Sequence, residues 1–280
     1  MKQLKTGLVL ALIIVFISIS RLYAAPYSFC VDSFTLTSNI AGFTSYFRDD
    51  FNNNRLTLPW IEYQPTVTES NGVLKLSSPG DIIFKSFHGV HVTVESTTVI
   101  STLLVGNKLG NSVATSTWLP YLPKKNQMFF MEEFHILAPH VSESISIGIS
   151  RLSPEISRAL AFPVSNNNPV LFFGWENLDV GKANFQAVSI NPNDVTGEIV
   201  LKMMFNDDTN QFNGAFSLDG GSSFRSPFTP VSPKTFFPPF MVAMNAASCD
   251  PVPEPDTIFY FMTGLTFIFL LRLRCKYIKI

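Results

Sequence analysis

Ser144-Ile145-Ser146-Ile147-Gly148-Ile149-Ser150 alternates without a break, isoleucine on every second position and serine or glycine between. Successive side chains of a strand point to opposite faces, so this period of two places three isoleucines on one face and only small groups on the other. No helix presents such a pattern as a single stripe. Outward from this segment the same signal recurs. Ile199, Leu201, Met203 and Phe205 share one face of a second strand. Residues 66–69 and 73–77 flank Ser70-Asn71-Gly72, and Asn-Gly between two alternating runs predicts a tight hairpin. Segments 82–87, 91–100, 128–136, 169–175, 185–190, 214–218 and 240–246 also read as strands. Helical spacing is confined to two short candidates, 154–160 and 103–109. Many strands separated by polar turns predict an all-β fold, an antiparallel sandwich around one core.

The two ends obey different physics. Lys2 and Lys5 precede an apolar run from Gly7 to Ile19, and Arg21-Leu22-Tyr23-Ala24-Ala25 ends in small residues. These are the three parts of a secretory signal peptide, with cleavage expected after Ala24. At the other end Pro253-Glu254-Pro255 precedes an apolar run from Thr257 to Leu271 and the basic residues Arg272, Arg274 and Lys276. As a helix the run would span about 22 Å, short of the roughly 30 Å hydrocarbon core. The basic flank would stay on the cytoplasmic side, and the two prolines would keep the motif extended and readable by a protease.

A rigid Pro-Glu-Pro, a short apolar segment and a basic end resemble the PEP-CTERM sorting signal of Gram-negative bacteria that make exopolysaccharide. The resemblance implies recognition and removal of the tail by exosortase, a membrane protease. The expected organisation is a signal peptide (1–24), a β-sandwich domain (25–250) and a sorting tail (251–280). Signal peptidase, the secretion translocon and exosortase are the implied partners. The implied route is a transient inner-membrane anchor, then the cell surface or extracellular matrix.

Of the 20 basic and 21 acidic residues of the chain, seven and one fall outside the expected mature region, about Ala25 to Pro255. The remaining 13 and 20 give the mature region a net charge of −7. That balance argues against nucleic acid as a partner. No internal linker and no repeat of domain-forming period is visible. Cys275 lies in the tail, so the mature region keeps Cys30 and Cys249, one near each end. In an oxidising compartment a Cys30–Cys249 disulfide is expected; the alternative is a pair of free buried thiols.

Asp49-Asp50-Phe51-Asn52, then Leu56 and Trp60, then Asn71-Gly72-Val73-Leu74-Lys75-Leu76-Ser77 resembles the opening of a concanavalin A-like lectin/glucanase domain. Met204-Phe205-Asn206-Asp207-Asp208-Thr209-Asn210 followed by Phe216-Ser217-Leu218-Asp219-Gly220-Gly221 is similar to a late hairpin of the same domains. The resemblance implies a jelly-roll sandwich and glycan ligands.

Catalytic chemistry is harder to place. Retaining glucanases of that superfamily carry Glu-x-Asp-x-Glu on one strand, whereas the nearest run here is Glu132-Glu133-Phe134-His135. Adjacent strand residues face opposite ways, so these two carboxylates cannot flank one glycosidic bond. No nucleophile elbow, phosphate-binding loop or zinc-protease motif occurs. His88 and His91 lie in a turn with no recognised zinc spacing. The oxygens of Asn206–Asn210 make calcium the one cofactor to consider, but the glycine and distal glutamate of an EF-hand loop are missing, and Asx-turn chemistry explains the run equally well. Trp60, Trp118 and Trp175 could supply a sugar-stacking platform, but large aromatics inside strands more often fill the core, which is the reading for Trp60 and Trp175. Trp118, beside Pro120, Tyr121 and Pro123 in a loop-like stretch, is the expected glycan-stacking residue, with Tyr121 as its neighbour. The chain therefore reads as a non-catalytic envelope protein associated with exopolysaccharide. A carbohydrate-binding module and a divergent glycan hydrolase are the alternatives.

Overall fold

The computed structural model describes residues 27–251 except 41–42, 57–58, 63–65, 78–80, 88–89, 106–111, 137–142, 165–167, 178–181 and 234–239. The signal peptide, Pro253-Glu254-Pro255, Arg272, Arg274 and Lys276 lie outside the described residues, as do His88 and the side chains of His91, Glu132 and Glu133. No helix among the described residues is long and apolar enough to cross a membrane.

Among the described residues sixteen strands form three antiparallel sheets. A small sheet joins β1 (Ser28–Val31), β6 (Val73–Ser77) and β5 (Val67–Ser70) in that order. The five-stranded sheet runs β15 (Gln211–Ser217), β14 (Ile199–Asn206), β9 (Ser112–Leu119), β2 (Ser33–Ile40), β3 (Phe43–Asp49). The eight-stranded sheet runs β13 (Lys182–Ser189), β12 (Val170–Asn177), β11 (Glu143–Arg151), β10 (Gln127–Ile136), β16 (Phe240–Pro251), β8 (Val90–Val105), β4 (Trp60–Glu62). Strand β7 (Asp81–Phe87) also pairs with β8. The α-helix found among the described residues, α1 (Pro154–Ala159), starts on Ser153, whose hydroxyl accepts from the Ile156 N–H.

The all-β expectation holds, with two local corrections. Segment 103–109 does not begin as a helix, because β8 continues through Val105. Trp118 sits inside β9, paired with Ser33 and Val200, and not in a loop. The Asn71-Gly72 hairpin forms as expected: both residues have positive φ, 55° and 73°, the geometry of a type I′ turn, and Ser70 pairs with Val73.

One core lies between the sheets. Ile145, Ile147 and Ile149 of β11 meet Val113 and Leu119 of β9 and Leu201, Met203 and Phe205 of β14, with Phe29, Leu74 and Leu76 of the small sheet closing one side. Phe134, Phe205, Phe212 and Phe240 form a cluster with ring centroids 4.6–6.3 Å apart. Each fully buried ring contributes roughly 1.5–3 kcal/mol over its exposed state. Trp60 is buried as the sequence suggests, and its indole N–H donates to Asp49 Oδ2 at 2.8 Å. Asp49 Oδ1 accepts from Phe51 N–H at 2.9 Å, which tightens the Asp-Phe turn against that tryptophan. Tyr27 is held by Thr97 and the Ala246 carbonyl, and burial pushes its hydroxyl up to about 12.

Strand β11 is covered on both faces. Phe130 of β10, Gly148 of β11 and Phe172 of β12 are direct neighbours in register, and the two rings meet over the glycine with centroids 5.0 Å apart. A Cβ at 148 would collide with Phe172 Cζ. The small residues of the alternation therefore mark a face roofed by aromatic rings, not a solvated one. Phe162 and Phe185 complete that cover at 4.8–5.9 Å from Phe172.

Candidate functional site

At the free edge of the eight-stranded sheet, β13 is no longer covered by the opposing sheet. The residues of β13 that continue the interior face are Asn184, Gln186 and Val188, directly opposite Trp175, Phe173 and Leu171 of β12. The segment from Phe224 to Pro233 crosses this gap. It is bonded to β15 at Phe216–Arg225 and Phe212–Val231 through paired backbone hydrogen bonds of 2.8–2.9 Å. Phe228 from the same segment packs on Phe173, centroids 5.6 Å apart. Gly214 leaves the room for this, since a Cβ there would meet the Phe173 ring at 2.7 Å. Asn210 Nδ2 donates to the Pro233 carbonyl at 3.3 Å.

Gln186 closes the crossing. Its Nε2 donates to the Thr229 carbonyl at 2.8 Å and its Oε1 accepts from the Thr229 N–H at 2.7 Å. The side-chain amide thus acts as one more rung of backbone pairing between the two halves. Between β13 and this strap lies a cleft of about 660 Å³ lined by Trp175, Asn184, Gln186, Thr229, Pro230, Val231, Ser232 and Pro233. Trp175 is half-buried: it packs against the core, as the sequence suggests, and also borders the cleft. Its indole nitrogen finds no hydrogen-bond partner among the described residues, unlike most buried indoles. The lining combines an aromatic ring, apolar proline and valine surface, amides and hydroxyls, and no ionisable group.

The residues singled out from the sequence do not gather here. Trp118 lies on the outer face of the five-stranded sheet. The Arg48 guanidinium stands 5.8 Å from its ring centroid, and Gly221 of the following turn lies against its indole edge. Arg48 in turn pairs with Asp50 at 2.5 Å, and that contact raises its pKa further. Nearby Glu198 is pushed up, first by burial and then by the charge of Asp32. The turn beyond Trp118 is built on Asp219, which accepts from the Ser217 and Ser223 hydroxyls at 2.5 Å; these bonds hold its carboxyl down at about 2. Tyr121 points elsewhere: its ring packs on Phe29 at 5.5 Å, its hydroxyl donates to the Ser28 carbonyl at 3.4 Å, and burial raises its pKa. Trp118 and Tyr121 therefore do not form one platform.

The expected Cys30–Cys249 bridge is not formed. The two cysteines are not bonded to each other. Cys249 packs under α1 with Val92, Val94, Met128 and Ile156, on the far side of the large sheet, while Cys30 on β1 neighbours Tyr121. The Asn206–Asn210 run is an Asx turn, with Asn206 Oδ1 accepting from the Asp208 and Thr209 N–H groups at 3.0 and 3.3 Å. No group of three or more metal-binding side chains occurs among the described residues. The glutamate pair Glu132-Glu133 falls on β10 where the pairing with β11 slips by one residue between Glu132 and Phe134, a β-bulge.

No protein-family model matches the chain, and no curated protein matches it. Among solved structures it has a likeness to a GH43 glycoside hydrolase engineered to display both endo-xylanase and exo-arabinofuranosidase activity. The two share 9% identity at a TM-score of 0.24, over 66% of this chain and 44% of that one. The chain thus spans less than half of that structure, and a likeness this slight carries no argument.

Proposed function

We propose that this chain is an exported, non-catalytic envelope protein that associates with polysaccharide, folded as a jelly-roll sandwich and delivered by a PEP-CTERM tail that exosortase removes. The observation that carries the binding role is the cleft at the β13 edge. It offers one open aromatic wall, apolar proline surface and unionised polar groups, the mixture that suits a ligand with apolar ring faces and many hydroxyls. The delivery role rests on Pro253-Glu254-Pro255, the short apolar run and Arg272, Arg274 and Lys276.

The test is retention of the exported protein on immobilised polysaccharides, with and without calcium, alongside an assay for new reducing ends. Retention without hydrolysis is expected, unchanged by calcium and by Glu132→Gln or Glu133→Gln. Reducing ends released by the wild type and lost in either variant would make the protein an enzyme. Mass spectrometry of the surface-located protein should find nothing beyond about Pro255; a protein still carrying Ile280 would refute the sorting role.

A further inference from the structure

We infer that the cleft at the β13 edge selects uncharged polysaccharide, with Trp175 as its stacking wall. This rests on the reading that the protein binds polysaccharide, and it names the site and the ligand class.

Charge is the first argument. The mature region carries a net charge of −7, yet none of the eight residues lining the cleft is ionisable. A uronate or sulfate entering it would give up part of its hydration and meet no cation in return. A cationic amino sugar would likewise meet no carboxylate. A neutral pyranose loses little: its apolar ring face covers Trp175, and its hydroxyls exchange water for amide and hydroxyl partners.

Preorganisation is the second. The strap that forms the outer wall is fastened at three places: the Gln186–Thr229 double hydrogen bond, the Phe212–Val231 bridge and the Asn210–Pro233 contact. A wall already ordered loses little conformational entropy when a ligand arrives. Because the Gln186 amide is occupied by Thr229, Gln186 is a positioning residue. Asn184, Thr229 and Ser232 line the cleft and carry the amide and hydroxyl groups that the ligand's polar contacts require.

The opposite face supplies the contrast. Trp118 stands among Arg48, Asp50, Asp32 and Glu198, with one ring face under a guanidinium. A charge-rich setting of this kind gives a neutral sugar no advantage.

Affinity electrophoresis of the full chain in gels holding a neutral linear β-glucan or a polyuronate separates these possibilities. Retardation by the glucan and none by the polyuronate is expected. Trp175→Ala should weaken retention at least about tenfold, Asn184→Ala severalfold, and Trp118→Ala not at all. Asn184 is exposed, so its variant keeps the test available if Trp175→Ala fails to fold. Equal retardation by the polyuronate would overturn the selectivity. Loss with Trp118→Ala but not with Asn184→Ala or a folded Trp175→Ala would overturn the site while leaving polysaccharide association standing. Retardation by neither polymer would overturn both.

Discussion

Trp118 and Trp175 occupy opposite kinds of surface. Trp118 projects from the middle of the five-stranded sheet, and its ring is engaged by Arg48 and by the Asp219–Ser223 turn. Trp175 lies one strand in from a sheet edge, where the opposing layer has ended and a strap stands off to leave a cleft. The first environment is charged and filled by its own chain. The second is uncharged and holds room. A tryptophan becomes a binding wall when the layers beside it stop matching; flanking prolines in the sequence do not confer that role.

The two regions should differ most at two glycines, Gly174 and Gly221. A Cβ at Gly174 would collide with the Asn184 carbonyl and come within 2.8 Å of Phe185 Cα, both backbone of the edge strand. Gly174→Ala should therefore lower stability by about 3 kcal/mol, through displacement of β13 and the cleft with it. Gly221, beside Trp118, meets no atom closer than 3.8 Å and needs only its positive φ of 88°. Gly221→Ala should cost about 1–2 kcal/mol. Thermal melts of the pair check this, and equal losses would mean that the cleft edge is no more tightly built than the Trp118 face.

A smaller difference is expected between Gln186→Ala and Arg48→Ala. The first removes two hydrogen bonds that tie separate segments, worth about 2 kcal/mol together. The second removes an ion pair with both partners nearly half exposed (48% and 46%), worth under about 1 kcal/mol. Chemical denaturation measures both. Hydrogen exchange at Thr229 and Val231 should rise only in the Gln186 variant, which ties the loss to the strap.

The mildest test is pH. Asp219 titrates at about 2, below its ordinary value of 3.8, because its hydrogen bonds favour the carboxylate. A depressed folded-state value means that the turn's contribution is complete above 3.8 and is lost as pH falls through about 2. Amide shifts of Ser222 and Ser223 followed by NMR should move in that window, and in Asp219→Asn they should not. The cleft lining has no ionisable group, so Trp175 fluorescence should stay level from neutral pH down to about 4. A shift centred near neutrality at Trp175 would contradict the uncharged cleft.

Much of the fold was legible beforehand. The alternation in 144–150, the face shared by Ile199, Leu201, Met203 and Phe205, and the Asn71-Gly72 turn all appear where the pattern places them. Strand β9 escaped because Ser112-Val113-Ala114-Thr115-Ser116-Thr117 is polar and small, and its burial comes from neighbours on both sides, β14 and β2. The site was scarcely legible. Asn184, Gln186 and Thr229 lie in stretches with no motif, and the only signal was Trp175 near the end of its strand.

Strand periodicity, the tight turns, the lack of familiar catalytic motifs and the apolar and basic runs of the two ends can be read from the sequence, because each depends on residues close together along the chain. The tertiary structure alone decided that Gly148 lies under two phenylalanines, that Cys30 and Cys249 stay apart, and that Gln186 clasps Thr229 across 43 positions. Those outcomes depend on which strands become neighbours and where a sheet ends. Strand order is set by the packing of the whole core, and local pattern carries no record of it.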